Sequence, residues 1–316
     1  MTRDAVLLMA YGSPDRLDQV EAYYTDIRRG NPPAPHLLEE LLGRYRAIGG
    51  GSPLSHIVEQ QRAALEAELT ARGLPMPVYA GMRHIAPRIG DIVKGMGADG
   101  VERFVAIAMA PQASSNAAGY RRAVDTALAE VGDHAPAVTY VESWHDQPRF
   151  IDALATTTRE ALDRFPDPST PLVMFTAHSL PARVLADGDP YPDELAATAR
   201  LVAQALGLER STFSFQSAGR TGEEWLGPDI LAELRRLGAE GVTEIVIRPV
   251  GFVADHLEVL YDIDIEAQGV ARHEGIRLER ARSMNTDPTF IAGLADIAAA
   301  AFGPREVAAA AGGVSR

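Results

Sequence analysis

Eight short β-rich runs, most of them strongly apolar and each separated from the next by a stretch long enough for a helix, constrain the fold of this chain more than any other feature. "AVLLMA" (5–10), "VYAGM" (78–82), "RFVAIAMA" (103–110) and "AVTYVES" (137–143) read as buried strands. So do "LVMFTA" (172–177), "TFSFQS" (212–217), "EIVIRPV" (244–250) and "RLERAR" (277–282). Helical patterns fall near 15–29, 54–72, 86–95, 117–131, 148–164, 192–206, 227–237, 255–267 and 288–302. Unbroken apolar strands alternating with helices mark parallel sheets covered on both faces. Four such strands before residue 145 and four after it predict two α/β domains, 1–145 and 146–316, with the last helix packing back on the first. At 316 residues and 46% hydrophobic content the chain can give each domain a core of its own.

The two halves also echo each other. "GADGVERFVAIAMAP" (97–111) and "GAEGVTEIVIRPVGF" (238–252) share a Gly-closed helix end, an acidic residue and a strand ending near Pro. "VLLMAYGSP" (6–14) and "VMFTAHSLP" (173–181) align Tyr11 with His178 just after the opening strand of each half. Ligands of open α/β sheets bind beyond the carboxyl ends of the strands, so a duplicated fold would present Tyr11 and His178 to one cleft from opposite sides. Ordinary strand–helix grammar accounts for both echoes as well.

Two glycine motifs part company. "GMGADG" (95–100) has the spacing of a dinucleotide fingerprint but follows a helix and precedes a strand, the reverse of what that site requires. A helix C-cap explains it better. "GGGSPLS" (49–55) leads into a helix, where Ser52 serves as an N-cap or as one donor of an anion site. Arg28, Arg29, Arg44 and Arg46 lie just upstream. With a formal net charge of −13, broad contact with nucleic acid or anionic membrane is not expected. A ligand with several carboxylates would need such a local basic patch, or the arginines are scattered surface charge.

The segment "GFVADHLEVLYDIDIEA" (251–267) carries Asp255, Glu258, Asp262, Asp264 and Glu266 without a Lys or Arg. Asp255 with Glu258 fits a capping box. Asp262 and Glu266 stand farther along, where like charges four residues apart oppose the helix. Oxygen ligands one turn apart suit a divalent metal, resident or in transit, and His178 in "TAHSLP" would add an imidazole, which points to iron, zinc or manganese. His178 is not part of a nucleophile elbow, and a structural role for it stays open. The sequence contains no Cys, which excludes thiolate zinc sites and a cysteine-ligated iron–sulfur cluster. The opening apolar run is too short for a signal peptide, and no stretch reaches the roughly 20 apolar residues of a membrane span, so a cytoplasmic protein is expected.

"FTAHSLP" together with "VGFVADHLEVLYD" resembles the signature pair of ferrochelatases, enzymes that insert ferrous iron into a porphyrin. The similarity runs on through "LLMAYGSP", "YYTDIRRGNPP", "RYRAIGGGSPLS", "GMRHIAP", "VESWHDQPRF", "GDPYPDEL" and "QSAGRTGEEWLGPD". In detail it is closest to the bacterial coproporphyrin III branch, which carries Tyr after the first strand and is monomeric. The resemblance implies two Rossmann-like, chelatase-type domains with the porphyrin between them, its binding loops in 1–145 and the metal-inserting residues in 146–316. His178 and Glu258 match the catalytic pair, and these two with Asp262 and Glu266 match the metal path. Tyr11, Arg28, Arg44, Tyr45, Ser52 and Tyr120 match porphyrin-binding positions, Tyr11 on the face opposite His178.

The implied substrates are coproporphyrin III and Fe²⁺, with no permanently bound cofactor, no iron–sulfur cluster, and transient contact with neighbouring enzymes of haem synthesis. Protoporphyrin IX as substrate is the first alternative. A non-catalytic tetrapyrrole or haem carrier is the second, although a carrier has no use for Glu258, Asp262 and Glu266.

Overall fold

A computed structural model describes residues 3–219 and 222–303, apart from the Asn116 side chain. Arg220 and Thr221 of the "QSAGRTGEEW" motif lie outside the described residues. The first half runs β1 (Asp4–Ala10), α1 (Val20–Ile27), α2 (Pro35–Ala47), α3 (Leu54–Ala71), β2 (Val78–Met82) and α4 (Ile89–Ala98). It continues with β3 (Arg103–Ala108), α5 (Ala118–Val131) and β4 (Ala137–Val141), and α6 (Pro148–Leu162) leads across to the second half. There follow β5 (Leu172–His178), α7 (Arg183–Ala186), α8 (Tyr191–Leu206), β6 (Ser211–Gln216), α9 (Ile230–Ala239) and β7 (Glu244–Pro249). After β7 come α10 (Leu257–Leu260), a π-helical turn (Asp262–Ala267), α11 (Gln268–His273), β8 (Arg277–Arg280) and α12 (Pro288–Phe302).

Both sheets are parallel and share one order, β2-β1-β3-β4 and β6-β5-β7-β8. The sequence echoes therefore fall on equivalent elements: β1 with β5, and α4–β3 with α9–β7. Parallel strands covered on both faces need apolar side chains in both directions, and every residue of β1 is buried. Where a helix must start at a defined point, a side chain caps it. Asp229 accepts from Leu231 N and Ala232 N at α9, and Asp287 accepts from Thr289 N and Phe290 N at α12, with Pro288 at the first helical position.

Separate cores are only half of what forms. Outer clusters do belong to one half each, under α4 and α5 (Ile89, Phe104, Val124) or under α9 and the π turn (Leu234, Ile247, Ile263). The largest cluster joins Leu8 and Ile107 to Phe150, Phe175, Phe290 and Leu294, so one apolar layer runs through both halves. Helix α12 packs on α3 as well as on α6, which closes this shared layer. No helix among the described residues is long and apolar enough to cross a membrane.

Two local expectations are corrected. Helix α2 is absent from the helical patterns read in the sequence; Pro35 occupies its start, where the missing N–H costs nothing. The acidic segment is not one regular helix either. Glu266 N bonds to Tyr261 O at 3.0 Å, a reach of five residues. A turn this wide brings positions four apart nearer to one line than the roughly 3.6-residue α-turn does.

Candidate active site

A cleft of about 600 Å³ lies between the halves, at the carboxyl ends of β1 and β5. That size suits a single organic ligand. Tyr11 enters from the residue after β1 and His178 from the end of β5, so the topology places both on its wall, as the alignment of the halves predicts. Glu258, on the short α10, completes the second-half wall together with His256. One oxygen, Glu258 Oε2, lies 3.7 Å from both His178 Nδ1 and His256 Nε2. The backbone of this corner is pinned from behind: Tyr191 donates its hydroxyl to His178 O at 3.0 Å, and Gln216 Nε2 donates to Glu258 O at 2.8 Å.

The corner's charges follow from these contacts. Burial acts to raise the Glu258 carboxyl, but His178 and His256 outweigh it and hold it at about 2. Burial acts to lower the His256 imidazole, and Glu258 reverses that, leaving it above the ordinary value. Asp262 sits one step behind, 5% exposed, with Oδ1 3.6 Å from Arg44 NH1 and Oδ2 accepting from the Ser217 hydroxyl. Burial, then the charge of Glu258, push its carboxyl up to about 7 against the pull of Ser217 and Arg44. Glu266, half-buried on the next turn, has no basic partner among the described residues.

The remaining acids of the row are structural. Asp255 forms no capping box, since the N-cap of α10 is His256 and no side chain caps the helix. Its carboxylate instead accepts from Ser283, Asn285 and Arg280. Asp264 is held by Arg280 through two bonds of 2.7 and 2.9 Å. The basic partners that the segment itself lacks thus come from β8 and from α2. His178, Glu258, Asp262 and Glu266 do not close into one nest, and among the described residues no three His, Asp or Glu side chains are gathered to hold a metal ion.

The first-half wall is aromatic and cationic. Burial, then the charge of Glu258, push the Tyr11 phenol up to about 12, so it is neutral at ordinary pH. Its ring lies 4.4 Å from that of His84, whose Nδ1 is 2.7 Å from Asp26 Oδ2. Tyr45 is fully buried at the wall with its hydroxyl 2.8 Å from Ser13 Oγ. Tyr120 is buried at the far end, and Arg83 lies between Tyr11 and Tyr120, 5.8 Å from each ring. Gly119 makes room for that guanidinium, because a Cβ there would stand 2.2 Å from Arg83 Cζ.

Arg28 is exposed at the cleft edge, over Tyr24, with no acidic partner among the described residues. Arg44 lines the cleft too but is already engaged by Glu40 (3.2 Å), Asp262 and the face of Tyr261.

Ser52 is the displaced member of the predicted set. Pro53, not Ser52, is the N-cap of α3; the Ser52 hydroxyl is buried, accepts from Leu54 N at 3.3 Å, and is not on the cleft wall. Ser13 takes the wall position instead. Not anticipated from sequence are His256, Arg83, Ser13 and Ser217. Of these only His256 carried a local signal, lying two residues before Glu258 in "VADHLE".

Comparison with known proteins fits this geometry. The family model described as Ferrochelatase matches residues 3–301. A ferrochelatase of Herpetosiphon aurantiacus is 46% identical over 295 residues, covering 92% of this chain and 96% of its own. A coproporphyrin III ferrochelatase of Geobacillus sp. is 40% identical over 298 residues, covering 92% and 96%. Among solved structures, SirB from Bacillus subtilis with Fe³⁺ superposes with a TM-score of 0.58 at 12% identity over 94% of each chain, a likeness of fold.

Proposed function

The chain belongs to the ferrochelatase family and inserts iron into a porphyrin, and we propose that its porphyrin is coproporphyrin III and that His178 and Glu258 carry the exchange. The reaction replaces two pyrrole N–H protons by Fe²⁺, so the site must receive a dication and release two protons. Glu258 between two imidazoles is the observation that carries the assignment of roles. A carboxylate held near 2 is a weak base, so it is assigned to charge stabilisation: of Fe²⁺ as it arrives and of imidazolium as it forms. His178 is then the proton acceptor, with its ring on the cleft wall. Asp262 and Glu266 supply oxygen ligands to Fe²⁺ in transit.

Tyr11 faces this corner as a neutral phenol, which gives the macrocycle a second, uncharged wall. Coproporphyrin brings four propionates, and Arg28 and Arg83 supply cationic contacts on the first-half side. That several relatives near 40% identity carry the name coproporphyrin III ferrochelatase supports this choice, while relatives of higher identity are named ferrochelatase without a stated porphyrin. The test is an anaerobic spectrophotometric assay with Fe²⁺ and either coproporphyrin III or protoporphyrin IX. Charge-assisted bonds of about 1.5–3 kcal/mol lead us to expect a preference of roughly tenfold or more in kcat/KM for coproporphyrin III. Equal values would refute the coproporphyrin assignment and leave iron insertion standing.

A further inference from the structure

The turn that delivers His256 and Glu258 to the cleft, residues 251–256 between β7 and α10, is not fixed by the helix it enters. Helix α10 is four residues long, and no side chain caps it. The turn is fixed instead by a residue that no part of the proposed chemistry uses. Asn285, in the connection between β8 and α12, donates its backbone N–H to Val253 O at 3.0 Å. Its side-chain Oδ1 accepts from Asp255 N at 2.9 Å, and its Nδ2 donates to Asp255 Oδ2 at 2.9 Å. Its backbone carbonyl accepts from Gln61 Nε2 at 2.8 Å, and Gln61 is a fully buried residue of α3 on the first-half wall of the cleft. Asn285 therefore uses its backbone and side-chain hydrogen-bonding groups at one joint.

The backbone shows the same specialisation. Asn285 has φ +45°, in the left-handed region that Asn tolerates far better than most non-glycine residues. A left-handed residue at this point lets the N–H meet Val253 while the side chain reaches back along Asp255. The acceptor it helps to hold is itself over-determined, since Ser283 Oγ (2.7 Å) and Arg280 NH1 (3.2 Å) both donate to Asp255 Oδ1. Arg280 also grips Asp264 in the π turn beyond α10. The segment that carries Glu258 is thus clamped on either side of it, at Asp255 and at Asp264.

We propose that Asn285 is a positioning residue for iron insertion: it sets the second-half turn bearing His256 and Glu258 in register with the first-half wall at Gln61. The effect is on the distance between Glu258 and a porphyrin seated against the first half, not on the affinity for that porphyrin. A displacement of the order of 1 Å at a reacting group costs up to about 100-fold in rate. This inference rests on the proposed roles of Glu258 and His178, and the activities of Glu258→Gln and His178→Ala test those separately.

The experiment compares the parent chain with Asn285→Gly and Asn285→Asp, measuring melting temperature, porphyrin Kd by fluorescence quenching, kcat and KM for Fe²⁺. Asn285→Gly keeps the left-handed backbone and removes the side chain. Asn285→Asp keeps Oδ1 but loses the Nδ2 donor and sets a second carboxylate against Asp255. We expect kcat to fall about 10- to 100-fold in both, with porphyrin Kd within twofold of the parent. A kcat within twofold of the parent in Asn285→Gly would overturn the proposal. So would a porphyrin Kd that weakens in step with kcat, since that is the signature of a general structural support. Should the glycine chain not fold, Ser283→Ala removes one donor to Asp255 and leaves the turn's backbone alone. There a severalfold loss of kcat at constant porphyrin Kd supports the joint, and parent kcat refutes it.

Discussion

The two halves of the molecule share strand order, strand direction and the placement of their first cleft residue, yet they line the cleft with opposite chemistry. From the first half come phenols that burial keeps neutral, Tyr11 among them, and the guanidinium groups of Arg28 and Arg83. From the second come two imidazoles on either side of one carboxylate oxygen, each 3.7 Å from it, with a further buried carboxylate behind them. A duplicated scaffold gives two equivalent platforms facing one space. What differs is which residues stand at the strand ends, and that is enough to make one half a holder of an anionic macrocycle and the other a site for a dication and its displaced protons.

The largest expected effect breaks the second half alone. Glu258→Gln and His178→Ala each remove a group at the point of metal and proton transfer, so kcat should fall on the order of 100-fold or more. Porphyrin Kd, measured by fluorescence quenching, should stay within a few-fold of the parent if holding belongs to the other half. A variant that loses porphyrin binding along with turnover would merge the two roles, and one with the parent rate would remove its residue from the chemistry.

A smaller and opposite effect is expected from the first half. Arg28 is exposed and unpaired by acids among the described residues, whereas Arg44 is held between Glu40 and Asp262. Arg28→Ala should raise the KM for coproporphyrin III roughly tenfold, the lower range for a charge-assisted bond at an exposed position, and leave kcat nearly unchanged. Steady-state kinetics at saturating Fe²⁺ separates the two constants. A fall in kcat with constant KM would place Arg28 on the chemical side of the comparison.

Much of this division is legible in the sequence, and the parts that are not share one cause. The central strands β1, β3, β5 and β7 could be read because parallel strands buried on both faces are continuous apolar runs, and the pairing of Tyr11 with His178 followed from the repeat. Local pattern could not show that Asp255 and Asp264 belong to Arg280, 25 and 16 residues away on a neighbouring strand. Nor could it show that a five-residue reach joins the four-residue bond at Tyr261 O, since the acids and the apolar Ile263 fit either helix. Beyond the expected return of the last helix, the shared core escaped for the same reason: Leu8 and Ile107 of the first half join one cluster with Phe175 of the second. Arg83 gives no sign in "GMRHIAP" of lying against Gly119. What a residue touches outside its own element is decided by tertiary packing, and the candidate site is made mostly of such contacts.

The smallest effect concerns where the holding wall ends. The family resemblance places Ser52 among the porphyrin contacts, while the structure buries its hydroxyl against Leu54 N and puts Ser13 on the wall. That hydrogen bond is long at 3.3 Å and partly replaceable by the helix start around it, so Ser52→Ala should cost only about 0.5–1 kcal/mol. In a chain of this length that corresponds to a fall of roughly 1–2 °C in Tm. Porphyrin KM should stay within twofold, in contrast to Arg28→Ala. Ser13→Ala, by comparison, frees the buried Tyr45 hydroxyl from its 2.8 Å partner at the cleft surface and should weaken porphyrin binding more than Ser52→Ala does. If instead Ser52→Ala raised the porphyrin KM as Arg28→Ala is expected to, the loop 49–53 would have to turn its serine into the cleft when the ligand binds. The first half would then hold its ligand with a movable edge, and the contrast with the clamped second half would extend from chemistry to mechanics.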